Sequence, residues 1–195
     1  MLHLRSASAA RWLRQVDSHL EEVLIDHAHC ERKAATTAIN LMNSYCDDLE
    51  LSREMSRIVD EELEHYWLVI GLLESRGIAF RRLPPGPYGR QLNALVRSGG
   101  TERAIDRLLV AGLIEARSCE RFSLLQEHFS GRDEVLAEFY GGLFESEARH
   151  HSTYVRLADH FSGGDRAAVR QRLDELSAAE SAVIATGSPL PRMHS

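Results

Sequence analysis

Apolar residues along this chain recur at three- and four-residue intervals, and almost nowhere in the alternation that marks a half-buried strand. The helical pattern begins briefly over Ser8–Val16, then runs long from Ser18 to Tyr45 and again from Ser52 to Arg76, where Gly77 is a natural stop. The stretch that follows, "IAFRRLPPGPYGRQLNALVRSGG", is too dense in Pro and Gly for regular helix at its centre. It predicts a long excursion holding one short helix near Tyr88–Arg97. Thr101 is the expected N-cap of a third long helix, Glu102–His128. A fourth covers Arg132–Phe161, with Gly141 and Gly142 as places where it can bend, and an amphipathic fifth covers Asp165–Ile184. Two long helices, a long connection and two more long helices make an all-α, four-helix bundle with one long crossover and additional short helices.

Composition adds limits. The chain has 195 residues, of which 44% are hydrophobic and 27% charged, the profile of a soluble globular protein of one domain. That domain is expected over residues 1–186, with "GSPLPRMHS" at 187–195 as a flexible tail. Nothing approaches the length of apolar run that a membrane span or a secretory signal needs, so a cytoplasmic location without membrane contact is expected. Cys30, Cys46 and Cys119 are widely spaced and odd in number, which fits reduced thiols. The net charge of −6 argues against nonspecific nucleic-acid binding. Its distribution is uneven, however: between Arg76 and Val110 seven arginines meet only Glu102 and Asp106. A solvated Arg-rich loop and a phosphate-facing surface are both compatible with that cluster.

Candidate chemistry appears where one spacing occurs twice. "EELEHY" sets Glu62 three residues before His65, and "ESEARHH" sets Glu147 three residues before His150. On a helix each pair projects from one side, and each shares its stripe with apolar residues: Ile58, Val69 and Leu72 for the first, Leu143, Tyr154 and Leu157 for the second. A carboxylate on a core-facing stripe needs a counter-charge, and a metal ion supplies one. The helix before each pair offers a further carboxylate. Glu31 lies 31 residues before Glu62, and Glu115 lies 32 residues before Glu147. Glu120, in the second of two "CER" tripeptides, is the rival to Glu115. Four carboxylates and two imidazoles in this arrangement form the ferritin-like di-iron or di-manganese set.

Small residues beside Glu31 (Ala34, Ala35, Ala38) and Glu115 (Ala111, Gly112, Ser118) are expected to leave room near the metals for oxygen or substrate. Tyr66, Tyr154, His27, His151 and Asp60 are candidates for orienting the ligands, although each reads more simply as packing or surface. Cys30 and Cys119 read as small buried groups, and Trp12 and Trp67 as core. No phosphate-binding loop, dinucleotide glycine pattern or nucleophilic triad is present.

At these residues the chain resembles the bacterial tRNA hydroxylases that act on 2-methylthio-N6-isopentenyladenosine beside the anticodon. The resemblance lies in "DHAHCERKAA", "VDEELEHYWLV", "LIEARSCERF" and "FESEARHHSTY", together with "PPGPYGRQLNALVR", and covers most of the chain from about Leu20 to Phe161. It implies a non-haem di-iron monooxygenase that hydroxylates the isopentenyl group, with two iron ions held by Glu31, Glu62, His65, Glu115, Glu147 and His150 and dioxygen as co-substrate. It also implies a tRNA anticodon loop as partner and a separate reductase or ferredoxin as electron donor, in a monomer or small homo-oligomer. Arg81, Arg82, Arg90 and Arg97 then become candidates for holding anticodon-loop phosphates. Iron and manganese suit the same ligands. A quinone hydroxylase, a rubrerythrin-like peroxidase and an iron-binding bundle without oxygenase activity are the competing readings.

Overall fold

The computed structural model describes residues 2–195, and every regular element among them is helical: α1 (Ala10–Ser18), α2 (Leu20–Ser44), α3 (Leu49–Ser75), α4 (Tyr88–Asn93), α5 (Gly100–Phe129), α6 (Glu134–Phe161) and α7 (Arg166–Thr186). Local capping chemistry explains where several boundaries depart from the sequence expectation. The Asp48 carboxylate accepts from the Leu51 amide at 2.9 Å, so α3 starts ahead of Ser52. Asp133 does the same for Leu136 at 3.2 Å, which delays α6 to Glu134. Thr101 is not the cap of α5; Gly99 takes that place in an extended conformation, and Thr101 lies inside the first turn. The helix of the excursion is shorter than expected and ends at Asn93, while α6 runs unbroken through Gly141 and Gly142.

Within the stretch expected as one domain, the chain forms two compact units. One comprises Arg14–Pro85 with Pro191–Met193. Its body is α2 packed on α3, with Val23, Leu24, Ala28, Ala35, Ala38 and Leu41 buried from the first helix and Leu51, Met55, Ile58, Val69 and Leu73 from the second. Full burial of each large aliphatic side chain contributes about 1.5–3 kcal/mol. Trp67, expected in the core, is 66% exposed on α3. Its position falls on the turn face opposite the buried stripe.

The other unit comprises the residues up to Leu13, Gly86–Leu190 and His194–Ser195. Here α5 packs on α6, and α4 and α7 pack against that pair. One close approach favours glycine: a Cβ at Gly112 would meet the Tyr154 Cβ at 3.1 Å and the His151 carbonyl at 3.5 Å, whereas one at Gly141 would meet only the movable end of Gln126. Charge is buried in this unit on a scale the sequence pattern did not suggest. The fully buried Arg117 pairs with Glu180 of α7 at 2.8 Å, and the Tyr88 hydroxyl donates to the same carboxylate at 3.0 Å. Asp106, also fully buried, accepts from Arg97 and Arg172 at 2.8–3.0 Å. Arg121 lies over the buried Trp12 ring with 3.9 Å between the guanidinium carbon and the ring centroid.

Residues 187–195, expected as a flexible tail, are anchored in both units. In the first, Arg192 donates to the Pro84 carbonyl at 2.7 and 3.1 Å, and the Met193 amide donates to Asp26 at 3.0 Å. In the second, the His194 ring stacks on Tyr88 with centroids 4.9 Å apart, and the Ser195 carbonyl accepts from Arg121 at 3.0 Å. Among the described residues no helix is long and apolar enough to cross a membrane.

Candidate metal centre

Both Glu-x-x-His pairs are buried, and each meets a carboxylate from the helix before it. In the α2–α3 unit, ligand atoms of Glu31, Glu62 and His65 lie within 4.8 Å of one another. Glu31 comes from α2; Glu62 and His65 come from one turn of α3. The Glu31 carboxylate faces an imidazole at each oxygen, with His27 Nε2 at 2.6 Å from one and His65 Nδ1 at 3.6 Å from the other. Burial by itself would raise the Glu31 carboxyl, but the adjacent His27 charge and hydrogen bonding from His27, His65 and Glu62 hold it well below the usual carboxylate range. Of the orienting candidates here, His27 is fully buried and touches Glu31, whereas Asp60 is exposed on the far side of α3 and Tyr66 is half-buried.

The α5–α6 unit repeats the arrangement. Ligand atoms of Glu115, Glu147 and His150 lie within 4.8 Å of one another, and His150 Nδ1 is 3.5 Å from a Glu147 oxygen. Glu120 is elsewhere: its carboxylate accepts from the Ser8 amide and hydroxyl and lies 3.1 Å from Arg117. Of the two rivals, Glu115 is the one that groups with Glu147 and His150. His151 Nδ1 donates to the Gly112 carbonyl at 2.7 Å, which ties the ligand-bearing turn of α6 to α5. Burial lowers the His151 imidazole below its ordinary value, so its neutral form keeps that bond. The missing side chain of Gly112 serves this close helix approach, because a Cβ there would press on the Tyr154 Cβ at 3.1 Å. Gly112 therefore does not provide the space for oxygen or substrate that its size suggested. Cys119 is buried, with its thiol pushed up to about 12 by burial and then by the charges of Glu147 and Glu115, which makes it inert.

Each triad offers two carboxylates and one imidazole. These hard oxygen and borderline nitrogen donors suit iron or manganese, and an ion would neutralise carboxylates that are otherwise costly to bury as anions. The residues fit the metal that their pattern implies.

The model of the tRNA-(MS[2]IO[6]A)-hydroxylase (MiaE) family matches residues 1–195. The chain belongs to that family. A relative from Pseudomonas putida (strain KT2440), named tRNA 2-(methylsulfanyl)-N(6)-isopentenyladenosine(37) hydroxylase, is 40% identical over 184 residues, spanning 94% of this chain and 87% of its own length. A protein of the same name from Salmonella typhimurium (strain LT2) is 28% identical over 216 residues, spanning 86% of this chain and 79% of its own length. Among solved structures, a Synechococcus protein described as having aldehyde deformylating oxygenase activity matches with a TM-score of 0.91 and 41% identity, over 98% of this chain and 95% of that one. The fold class of this MiaE-family chain is accordingly all-α and ferritin-like.

The four arginines singled out as RNA contacts divide in this MiaE-family chain. Arg82 and Arg90 are exposed. Arg81 is exposed but lies 3.0 Å from Glu21 and 3.8 Å from Glu22. Arg97 is largely committed to Asp106 and Glu102, at 2.8 and 3.0 Å. Sequence reasoning did not single out Arg117, Arg172 and Glu180, which brace α5 through the buried Arg117–Glu180 pair and the half-buried Arg172 on the buried Asp106. A signal was available in "LLVAGLIEARSCERF", where two arginines follow directly on a continuous apolar run of the same helix.

Proposed function

We infer that this protein hydroxylates the isopentenyl group of 2-methylthio-N6-isopentenyladenosine next to the anticodon of tRNA, using dioxygen and external electrons. The observation that carries the reading is a family match over the whole chain in which both Glu, Glu, His triads are present and buried. Glu31, Glu62, His65, Glu115, Glu147 and His150 together would hold two iron ions, with each Glu-x-x-His pair supplying the imidazole for one. Bound there, iron supplies the dioxygen chemistry that hydroxylation of a hydrocarbon group requires. The chain's own groups do the positioning. His27 restrains Glu31, His151 ties α6 to α5 beside His150, and the burial of all six ligands excludes bulk water. Arg81, Arg82, Arg90 and Arg97 are the candidate phosphate contacts of the anticodon loop, and the modified base leaves its stack to reach the buried site. A separate reductase or ferredoxin delivers the electrons, and a tRNA substrate places the enzyme in the cytoplasm.

The Synechococcus likeness motivates a second reading, oxidation of an aldehyde with loss of its formyl carbon. One experiment separates the two. The iron-loaded protein is given a reduced ferredoxin, dioxygen and either tRNA carrying the modified adenosine or a long-chain aldehyde. The expected result is a nucleoside that has gained one oxygen atom by mass spectrometry, with no product from the aldehyde. Glu62→Ala combined with Glu147→Ala should lose both the iron and the product. Aldehyde turnover with untouched tRNA would replace the first reading by the second.

A further inference from the structure

Alongside its buried triad the α2–α3 unit carries a row of aromatic and cationic side chains in which Trp67, Arg32, Arg81 and Arg82 are exposed, Tyr66 and Phe80 half-buried and His29 buried. Trp67 is the most exposed aromatic among the large hydrophobic residues, at 66%, and follows the ligand His65 by two residues. Its ring meets Tyr66 edge-on with centroids 5.2 Å apart; Tyr66 meets Phe80 edge-on at 6.0 Å; Phe80 lies 4.7 Å from His29. The Arg32 guanidinium lies over the Phe80 ring at 6.0 Å and also reaches His29 Nδ1 at 3.1 Å. His29 Nε2 donates to the Arg81 carbonyl at 2.9 Å, which leads the row onto Arg81 and the exposed Arg82. Every link lies within one unit, and the row flanks both helices that carry the triad: His29 and Arg32 bracket Glu31, and Tyr66 and Trp67 follow His65.

A row of this kind fits one chemistry best. Unpaired RNA bases stack on exposed aromatic rings and guanidinium planes while arginines track the phosphates. A second copy of the chain is the alternative occupant, and the exposed Arg32, Lys33 and Arg82 beside the rings favour a phosphate-bearing partner over it. Acidic neighbours are present, with Glu64 and Glu74 exposed on α3 and Glu21 and Glu22 against Arg81, so the basic side of the row is that of Arg32, Lys33 and Arg82.

We propose that Trp67, with Tyr66 and Phe80 behind it, is the platform on which anticodon-loop nucleotides flanking the modified adenosine stack, with Arg32 and Arg82 holding their phosphates. The proposal rests on the hydroxylase reading for the identity of the RNA. It adds a positioning surface that holds the loop while one base is extruded toward the triad.

The test uses the full, iron-loaded chain and a synthetic anticodon stem-loop carrying the modified adenosine, with and without abasic sites at the two flanking positions. Trp12 is buried and Trp67 exposed, so tryptophan emission at the red edge reports Trp67. The stem-loop should quench that emission in the wild type and leave Trp67→Phe nearly silent. Trp67→Ala should weaken binding by roughly 5- to 150-fold, the range for loss of one stacked base, while Trp67→Phe keeps most of the affinity. Abasic flanking sites should weaken binding to the wild type and not to Trp67→Ala. The proposal is overturned if Trp67→Ala binds the stem-loop as the wild type does, or if the emission follows protein concentration together with a doubling of mass, in which case a second copy covers the row. Failure of the hydroxylase reading is distinguishable. Trp67-dependent binding without any oxygenated nucleoside sustains the platform and removes the activity, whereas oxygenation at unchanged kcat/KM in Trp67→Ala removes the platform and sustains the activity.

Discussion

The two triads have the same residue types in the same order, and the units around them differ. In the α2–α3 unit the brace is local, a single histidine one helical turn from the carboxylate it faces, His27 to Glu31. Beyond it lies an exposed aromatic and cationic surface. In the α5–α6 unit the brace is remote. Arg117, two residues after Glu115, is tied to α7 through Glu180 and to the N-terminal segment through the Ser6 carbonyl. Repetition of the ligands therefore does not imply repetition of their support, and the unit whose support comes from distant residues should be the easier to damage from far away.

Glu180→Ala tests this most severely. It leaves the fully buried Arg117 guanidinium facing Tyr88 and Glu120 with its main counter-charge removed, which should cost about 3–5 kcal/mol in denaturant unfolding of the metal-free chain. Burial lowers Arg117, and the hydrogen bonds and charge of Glu180 more than offset that; without Glu180 the burial cost of the guanidinium is largely uncompensated, because arginine does not readily shed its proton. Replacing both partners by apolar residues, Arg117→Met with Glu180→Leu, should recover most of the loss. A Glu180→Ala chain of unchanged stability would end the claim that α7 braces this half.

A second ion cluster in the same unit gives a smaller, acid-dependent effect. Burial alone would raise the Asp106 carboxyl, but hydrogen bonds from Arg97 and Arg172 bring it from 3.8 to about 2. A depressed carboxylate stabilises the fold above its unfolded value and loses that contribution as pH falls through its folded value. The wild type should therefore lose about 2 kcal/mol between roughly pH 5 and pH 2 that Asp106→Asn does not lose over the same interval. Equal acid sensitivity in the two chains would show that Asp106 does not carry the difference.

Legibility in the sequence follows the same division. Helical periodicity is a local property, so the long helices and both Glu-x-x-His turns could be read directly, with boundary errors where Asp48 and Asp133 cap earlier or later than the apolar pattern suggests. Glu31 and Glu115 were legible because each repeats a spacing to its partner pair. Glu120 could not be placed by spacing alone, because its partner in the structure, Ser8, is more than a hundred residues away. Arg117 with Glu180, and Asp26 with Met193, are likewise long-range partners that no local pattern exposes. Trp67 misled for the opposite reason. Its type argues for the core, and only its angular position on α3, away from Ile58, Glu62 and Val69, argues for the surface.

That lesson bears on the arginines, which sequence grouped and structure separates. Arg82 and Arg90 are exposed, Arg81 shares its charge with Glu21 and Glu22, and Arg97 is bound to Asp106. If the first two hold phosphates, Arg82→Glu and Arg90→Glu should each weaken stem-loop binding and flatten its salt dependence by about one unit of slope or slightly more, without loss of stability. Arg81→Glu should do less, because part of its charge is already neutralised by the two glutamates. Arg97→Glu should behave differently in kind: it places a second carboxylate beside a buried one, so it should lower stability before it lowers binding. Equal binding losses from all four at unchanged stability would mean that the ion pairs of Arg81 and Arg97 yield to RNA phosphates on binding, and the separation drawn from the unliganded chain would not govern recognition.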